Sequence, residues 1–243
     1  MSQRGVNVFV TGGSRGIGRA IALRFARGGA KRVAIGYFRS DRAAEETAAE
    51  LRTLGAEPTL VRGNIGSERV LEEVAALGPL DVLVHNAASG VSRPALKAED
   101  KHWDWTLNTN AKALLQLARV AAPAMPEGSS IVAISSLGAQ RVLDNYMLVG
   151  TSKAALEALV RYLAVELAPR IRVNCVSGGV VETDALDAFP NREEMLAAGA
   201  ANPVGRMVDA EDIAGAVAFL CSPDARMIRG QTLIVDGGFS LTA

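Results

Sequence analysis

Thr11-Gly12-Gly13-Ser14-Arg15-Gly16-Ile17-Gly18 decides how this chain is read. Before it runs Val6-Asn7-Val8-Phe9-Val10, β-branched and aromatic, of strand character. After it, Ile17, Ala20, Ile21 and Phe25 fall on one face of a helix. A glycine-rich turn thus joins a strand to a helix. Glycines allow a tight turn and a close backbone approach to a ligand. The helix aims its free N–H groups and the positive end of its dipole into the same gap. A pyrophosphate fits there; a glycine turn without a ligand is the plain alternative.

Working outward, apolar strand-like runs alternate with helical patterns. Candidate strands are Val6–Val10, Arg32–Phe38, Pro58–Arg62, Leu80–His85, Ser130–Ser135, Ile171–Val176 and Thr232–Val235. Candidate helices are Ile17–Arg27, Arg42–Leu54, Glu68–Leu77, Trp103–Ala122, Thr151–Leu167 and Ala210–Leu220. Strands such as Ile131-Val132-Ala133-Ile134 are continuously apolar, the pattern of a parallel sheet covered on both faces. Repeated β-α units predict a single-domain α/β fold, a doubly wound parallel sheet of about seven strands with helices on both faces. Ligands of such sheets bind beyond the carboxyl ends of the strands. Thr11, Phe38, Asn64, Asn86, Ser136 and Gly178 belong there.

The 243 residues, 49% of them hydrophobic, suffice for one large core. The 26 basic and 26 acidic residues balance, and no basic block points to nucleic acid. Cys175 and Cys221 lie in apolar segments and read as reduced core thiols. No apolar run reaches the roughly 18 residues of a membrane span. Residues 1–5 lead straight into the first strand, so no signal peptide is expected, and the expected location is cytoplasmic. No metal site is expected.

The spacing Gly12-x3-Gly16-x-Gly18 resembles the TGxxxGxG signature of the short-chain dehydrogenase/reductase family, whose members have a Rossmann fold. The resemblance implies a nicotinamide cofactor held by Gly12, Ser14, Arg15, Gly16, Ile17 and Gly18. The second strand ends Gly36-Tyr37-Phe38-Arg39-Ser40, without the carboxylate that grips the ribose of NAD in many folds. Arg39 and Ser40, with Arg15 opposite, suit a 2′-phosphate, so NADPH is expected. Asn64 stands where the family has an Asp for the adenine amino group, followed by Ile65. An amide oxygen still accepts that bond. Asn86, Ala87 and Ala88 resemble the NNAG stretch that passes the adenine ribose. His85 reads as a strand-end residue and His102 as a helix-surface one. Asn110 matches the family asparagine that helps hold a water near the catalytic lysine; a structural cap or kink is the alternative. In Gly178-Gly179-Val180-Val181-Glu182-Thr183, Val181 backbone is expected at the carboxamide and Thr183 at the phosphates, with Gly179 alongside.

Ser136 closes the fifth strand, and Lys153 lies seventeen residues on. Most family members carry a Tyr four residues before this Lys; here that position is Val149, which has no proton to give. Tyr146, seven residues before Lys153, is the nearest phenol. That spacing resembles the family's enoyl-acyl-carrier-protein reductases, specifically the NADPH-dependent type III bacterial group. Asn145-Tyr146, residues 152–159, Val176-Ser177-Gly178-Gly179, Trp103-Asp104-Trp105-Thr106 and Arg229-Gly230-Gln231-Thr232 carry the same likeness. The expected catalytic set is Tyr146, Lys153, Ser136 and Asn110, with Ser136 a helper near the nicotinamide on which this group is not expected to depend.

The implied reaction is reduction of the 2,3 double bond of a trans-2-enoyl thioester, on acyl carrier protein or CoA, in fatty-acid synthesis. Hydride on the β-carbon puts charge on the thioester oxygen, two atoms further from the hydride than in a ketone, which suits a displaced donor. A ketoreductase of the same family, and a non-catalytic nucleotide-binding scaffold or sensor, are the rivals. Residues 184–206 are long enough for a lid over an acyl chain. Arg93, Lys97, Arg141, Arg192 and Arg206 are candidates to steer an acidic carrier. The resemblance also implies a homotetramer paired through the helices that hold Asn110 and Lys153.

Overall fold

The computed structural model describes residues 4–183, 186 and 192–242. Its seven strands are β1 (Asn7–Thr11), β2 (Arg32–Tyr37), β3 (Glu57–Arg62), β4 (Val82–His85), β5 (Ser129–Ser136), β6 (Ile171–Gly178) and β7 (Thr232–Val235). All pair in parallel, in the order β3-β2-β1-β4-β5-β6-β7. The chain starts at the middle, runs out to β3, and returns to β4 beside β1. The carboxyl ends of β1 and β4 therefore flank the switch in direction, where such sheets open a crevice.

Side-chain alternation explains why the strands read as continuously apolar. In β1, Val8 and Val10 join one core, while Phe9 points through to the other. In β2, Val33 and Ile35 go one way and Ala34 the other. The first core lies under α1 (Gly16–Arg27), α2 (Asp41–Thr53) and α8 (Ala210–Leu220). The second lies under α3 (Glu68–Ala76), α5 (Ala113–Ala121) and α6 (Met147–Glu166). Phe9 is fully buried in the second core. Removing such a ring costs about 3–5 kcal/mol. Cys175 and Cys221 are buried free thiols, each pushed up to about 12 by burial.

Most boundaries shift by a residue or two, and three differences go further. The pattern over Trp103–Ala122 predicts one helix; the chain instead forms α4 (Asp100–Leu107), a π turn over Asn108–Lys112, and α5. A π turn shifts the hydrogen-bond ladder by one residue, which apolar periodicity does not reveal. Helix α6 starts at Met147 rather than Thr151, and Tyr146 is its N-cap residue. Within the expected lid, residues 192–200 form α7 (Arg192–Ala200), while 184, 185 and 187–191 lie outside the described residues. No helix among the described residues is long and apolar enough to cross a membrane.

Candidate active site

The glycine-rich turn leaves β1 and enters α1. Gly12 has φ +65°, and a Cβ there would meet Asn86 Nδ2 at 2.8 Å. A Cβ on Gly18 would overlap the carbonyl oxygen of Gly12. A Cβ on Gly16 would meet Thr183 Cγ2 at 3.2 Å, so the segment after β6 comes beside the turn. This is a cradle only glycines leave open, at the N-terminus of a helix with no acidic residue in its first turn. The donor set fits a phosphate-bearing group. Ser14 is buried, and its carbonyl accepts from Thr47 Oγ1 of α2 at 3.0 Å. Arg15 caps α1 in extended conformation, and Ile17 packs on the first core.

Thr11 anchors the turn to β4. Its Oγ1 accepts from the backbone N–H of Asn86 at 3.0 Å and of Ala87 at 2.8 Å. Its own proton is then left to donate to His85 Nδ1, 3.4 Å away. The other ring nitrogen, Nε2, carries hydrogen and donates to the carbonyl of Asn110 at 3.2 Å. Burial, aided by the nearby Lys153 charge, lowers His85 to about 4, so the ring is neutral. The strand-end histidine thus ties β1 and β4 to the π turn. Asn86, expected at the adenine ribose, donates from Nδ2 to the carbonyls of Thr11 at 3.0 Å and Gly12 at 3.1 Å. Ala88 is exposed beyond it.

Asn110 is fully buried. Its side-chain oxygen accepts from Ser89 N at 2.8 Å. Its Nδ2 donates to Ser89 O and to Ser152 Oγ, both at 2.8 Å. Ser152 Oγ donates in turn to Val149 O at 2.7 Å. The Asn110 side chain thus braces the β4 loop against α6. Both amide hydrogens and one lone pair of the amide oxygen are taken by protein groups.

Tyr146 meets Ser136 at the end of β5, and Lys153 reaches the same strand at Ile134. The Tyr146 hydroxyl donates to Ser136 Oγ at 3.1 Å. Burial raises the phenol above its usual value, so it keeps its proton at neutral pH. Lys153 Nζ donates to Ile134 O at 2.7 Å from the floor of the site. Burial lowers its ammonium to about 8, with Cys175 and Glu157 opposing. Val149 is buried, and a Cβ on Gly90 would overlap its Cγ2. The position four residues before the lysine is therefore filled by packed hydrocarbon.

On the far side, Gly179 N donates to Val235 O at 2.9 Å, and Val181 bridges to Val208. Arg39 is exposed, its guanidinium 5.0 Å from the centre of the Phe38 ring. Ser40 caps α2. Asn64 is exposed; its side-chain oxygen accepts from Gly66 N at 3.2 Å, and Ile65 is buried beside it. The basic residues offered for steering are mostly matched. Arg206 holds Asp212 through two bonds of 2.6 and 2.8 Å, which lower that carboxyl to about 2. Arg192 pairs with Glu182 at 2.9 Å and Arg93 with Glu99 at 3.6 Å.

Sequence reasoning missed Ser152, Gln140 and Glu157 as parts of the site's scaffold. Glu157 did leave a signal: a carboxylate one helical turn after Lys153, between core residues Leu156 and Val160. Nothing local marked Ser152 or Gln140.

A doubly wound sheet with this cradle and a Tyr, Ser and Lys cluster at its carboxyl edge defines a nucleotide-dependent oxidoreductase. A family model described as Enoyl-(Acyl carrier protein) reductase matches residues 12–240. The chain belongs to the short-chain dehydrogenase/reductase family. A relative, 1-cyclohexenylcarbonyl-CoA reductase of Streptomyces collinus, is 37% identical over 96% of this chain and 86% of its own length. A short chain dehydrogenase from Burkholderia cenocepacia, solved in complex with NADP, superposes with TM-score 0.90 at 34% identity. That match covers 99% of this chain and 100% of the other. The angucycline C-6 ketoreductase LanV with bound NADP also gives 0.90, at 30% identity over 99% and 97% of the two chains.

Proposed function

We propose that this protein is an NADPH-dependent reductase of 2-enoyl thioesters carried on CoA or acyl carrier protein. The observation that carries this reading is the displaced phenol. Tyr146 meets Ser136 from the N-cap of α6, while the position four before Lys153 is a packed valine. The family model and the name of the Streptomyces relative, an alkene conjugated to a CoA thioester, agree with it. The NADP-bound relatives, Arg39 and the missing acid at the end of β2 support the cofactor.

NADPH, when bound, supplies the hydride. The chain's own residues handle the opposite charge. As negative charge gathers on the thioester oxygen, the Tyr146 hydroxyl, protonated through its burial, donates to it. Ser136 Oγ, 3.1 Å from the phenol, is placed to donate its own hydrogen to the phenol oxygen once Tyr146 turns its hydrogen to the substrate. The buried Lys153 ammonium adds positive field from below and is assigned to the nicotinamide ribose. Gly12, Ser14, Arg15, Gly16, Ile17, Gly18 and Thr183 are assigned to the phosphates. Arg39 and Ser40 take the 2′-phosphate. Asn64, Ile65, Ala87 and Ala88 flank the adenosine, and Gly179 and Val181 the carboxamide. Asn110 and Asn86 act through the backbone they brace.

The Tyr146–Ser136 pair also favours a second reading, because two adjacent hydroxyls suit a ketone oxygen as well. NADPH oxidation with crotonyl and acetoacetyl thioesters, each on CoA and on carrier protein, separates the two. Turnover of the enoyl substrate, lowered about 10²–10³-fold in Tyr146→Phe, is expected. Turnover of the keto substrate alone refutes the enoyl reading. Half-exposed Trp103 and Trp105 on α4, with exposed Tyr162 and Val165 on α6, support a homo-oligomer, which light scattering measures.

A further inference from the structure

Glu157 lies four residues beyond Lys153 on α6 and is only 5% exposed. A carboxylate so buried is costly unless its oxygens find donors. Both do. Oε1 accepts from Ser135 Oγ at 2.7 Å, and Oε2 accepts from Gln140 Nε2 at 3.1 Å. Ser135 is the neighbour of Ser136 on β5. Gln140 stands in the connection that leaves Ser136 and ends in Tyr146. Lys153 sits one turn back on the helix that carries Glu157 itself. One carboxylate therefore joins the strand, the connection and the helix that deliver the three reacting side chains.

We infer that Glu157 is a positioning residue: its carboxylate sets the spacing of Ser136, Tyr146 and Lys153, and its charge partners the Lys153 ammonium. The inference rests on these three as the reacting groups, whichever thioester is reduced. Charge supports the geometry. The titratable groups that face Lys153 are His85 from β4, Cys175 from β6 and Glu157 from its own helix. His85 is neutral, and the Cys175 thiol is pushed up to about 12. Among these three, Glu157 supplies the carboxylate.

The test follows Lys153 in the cofactor-free protein by NMR of ¹³Cε-labelled lysine, with the signal assigned through its loss in Lys153→Arg. In Glu157→Gln the amide still accepts from Ser135 but the charge is gone. Its Lys153 titration midpoint is expected to fall by about half a unit to one unit. Its kcat near neutral pH is expected to fall about tenfold or more, with the KM for NADPH unchanged. Gln140→Leu cuts only the bond to the Tyr146 connection. It should lower kcat several-fold and leave the lysine midpoint where it is. An unmoved midpoint with wild-type kcat in Glu157→Gln overturns the inference. Should Glu157→Gln fail to fold, wild-type kcat in Gln140→Leu overturns it instead. If the wild type reduces neither thioester, the functional reading fails, while the lysine midpoint still decides for or against Glu157.

Discussion

Acid should weaken this protein through one imidazole. His85 is fully buried, bonded through both ring nitrogens, and held near 4 rather than 6.5. Its folded value is depressed, so the stability it carries is present above 6.5 and lost as pH falls toward 4. In that window the unfolded chain takes up a proton that the folded chain refuses. At about 1.4 kcal/mol per pKa unit, the full loss is about 3 kcal/mol. About 2 kcal/mol of it falls between roughly pH 7 and pH 5. The perturbation that isolates it is His85→Asn. An amide can still donate toward Asn110 and accept from Thr11, but it does not titrate. Urea unfolding of both proteins across this range is the assay. The variant starts less stable, because the smaller side chain leaves a void. Its loss on acidification should nevertheless be shallower than wild type by about 2 kcal/mol. Carboxylates and His102, shared by both proteins, cancel in the comparison. Equal acid slopes in the two proteins would refute the neutral, doubly bonded imidazole.

The remaining predictions concern the cofactor and the lysine. Gly18→Ala forces a methyl onto the Gly12 carbonyl, so NADPH binding measured by fluorescence should weaken at least about tenfold, with the sheet intact. Arg39→Ala removes a guanidinium assigned to the 2′-phosphate. The preference for NADPH over NADH should drop about tenfold or more in kcat/KM, while NADH kinetics stay level. Lys153 titrates at about 8, so kcat/KM should decline as pH rises through that value. Stability should move the other way. The folded ammonium is depressed from 10.5, so raising the pH from about 8 toward 10.5 relieves the cost of its burial. Lys153→Met should lose both trends.

What the sequence yields and what it withholds divide along one physical line. Local pattern carried the sheet: continuously apolar strands follow from two covered faces, as Val8, Phe9 and Val10 show. Glycine spacing carried the cradle, because Gly18 answers to the carbonyl of Gly12 just before it and Gly12 to its own positive φ. The missing parts are all partnerships across long separations. His85 reads as an ordinary strand end until Thr11, 74 residues away, meets its ring. Ser152, 42 residues on, takes a hydrogen of the Asn110 amide, a bond that no local pattern marks. The π turn that presents the Asn110 carbonyl to His85 leaves the apolar periodicity of Trp103–Ala122 undisturbed. Tyr146 shows both sides at once. Its distance from Lys153 along the chain is plain in the sequence. Its partner is not, because Ser136 reaches it only through a connection held by Gln140 and Glu157. The spacing of a phenol from a lysine thus announces a displaced donor, but the strut behind the connection determines which hydroxyl that donor meets, and so where a substrate oxygen can sit. Transplanting a tyrosine to Val149 would for that reason not by itself recreate a ketone site: the space there is closed by Gly90 and packed hydrocarbon, and the strut would still hold Tyr146 on Ser136.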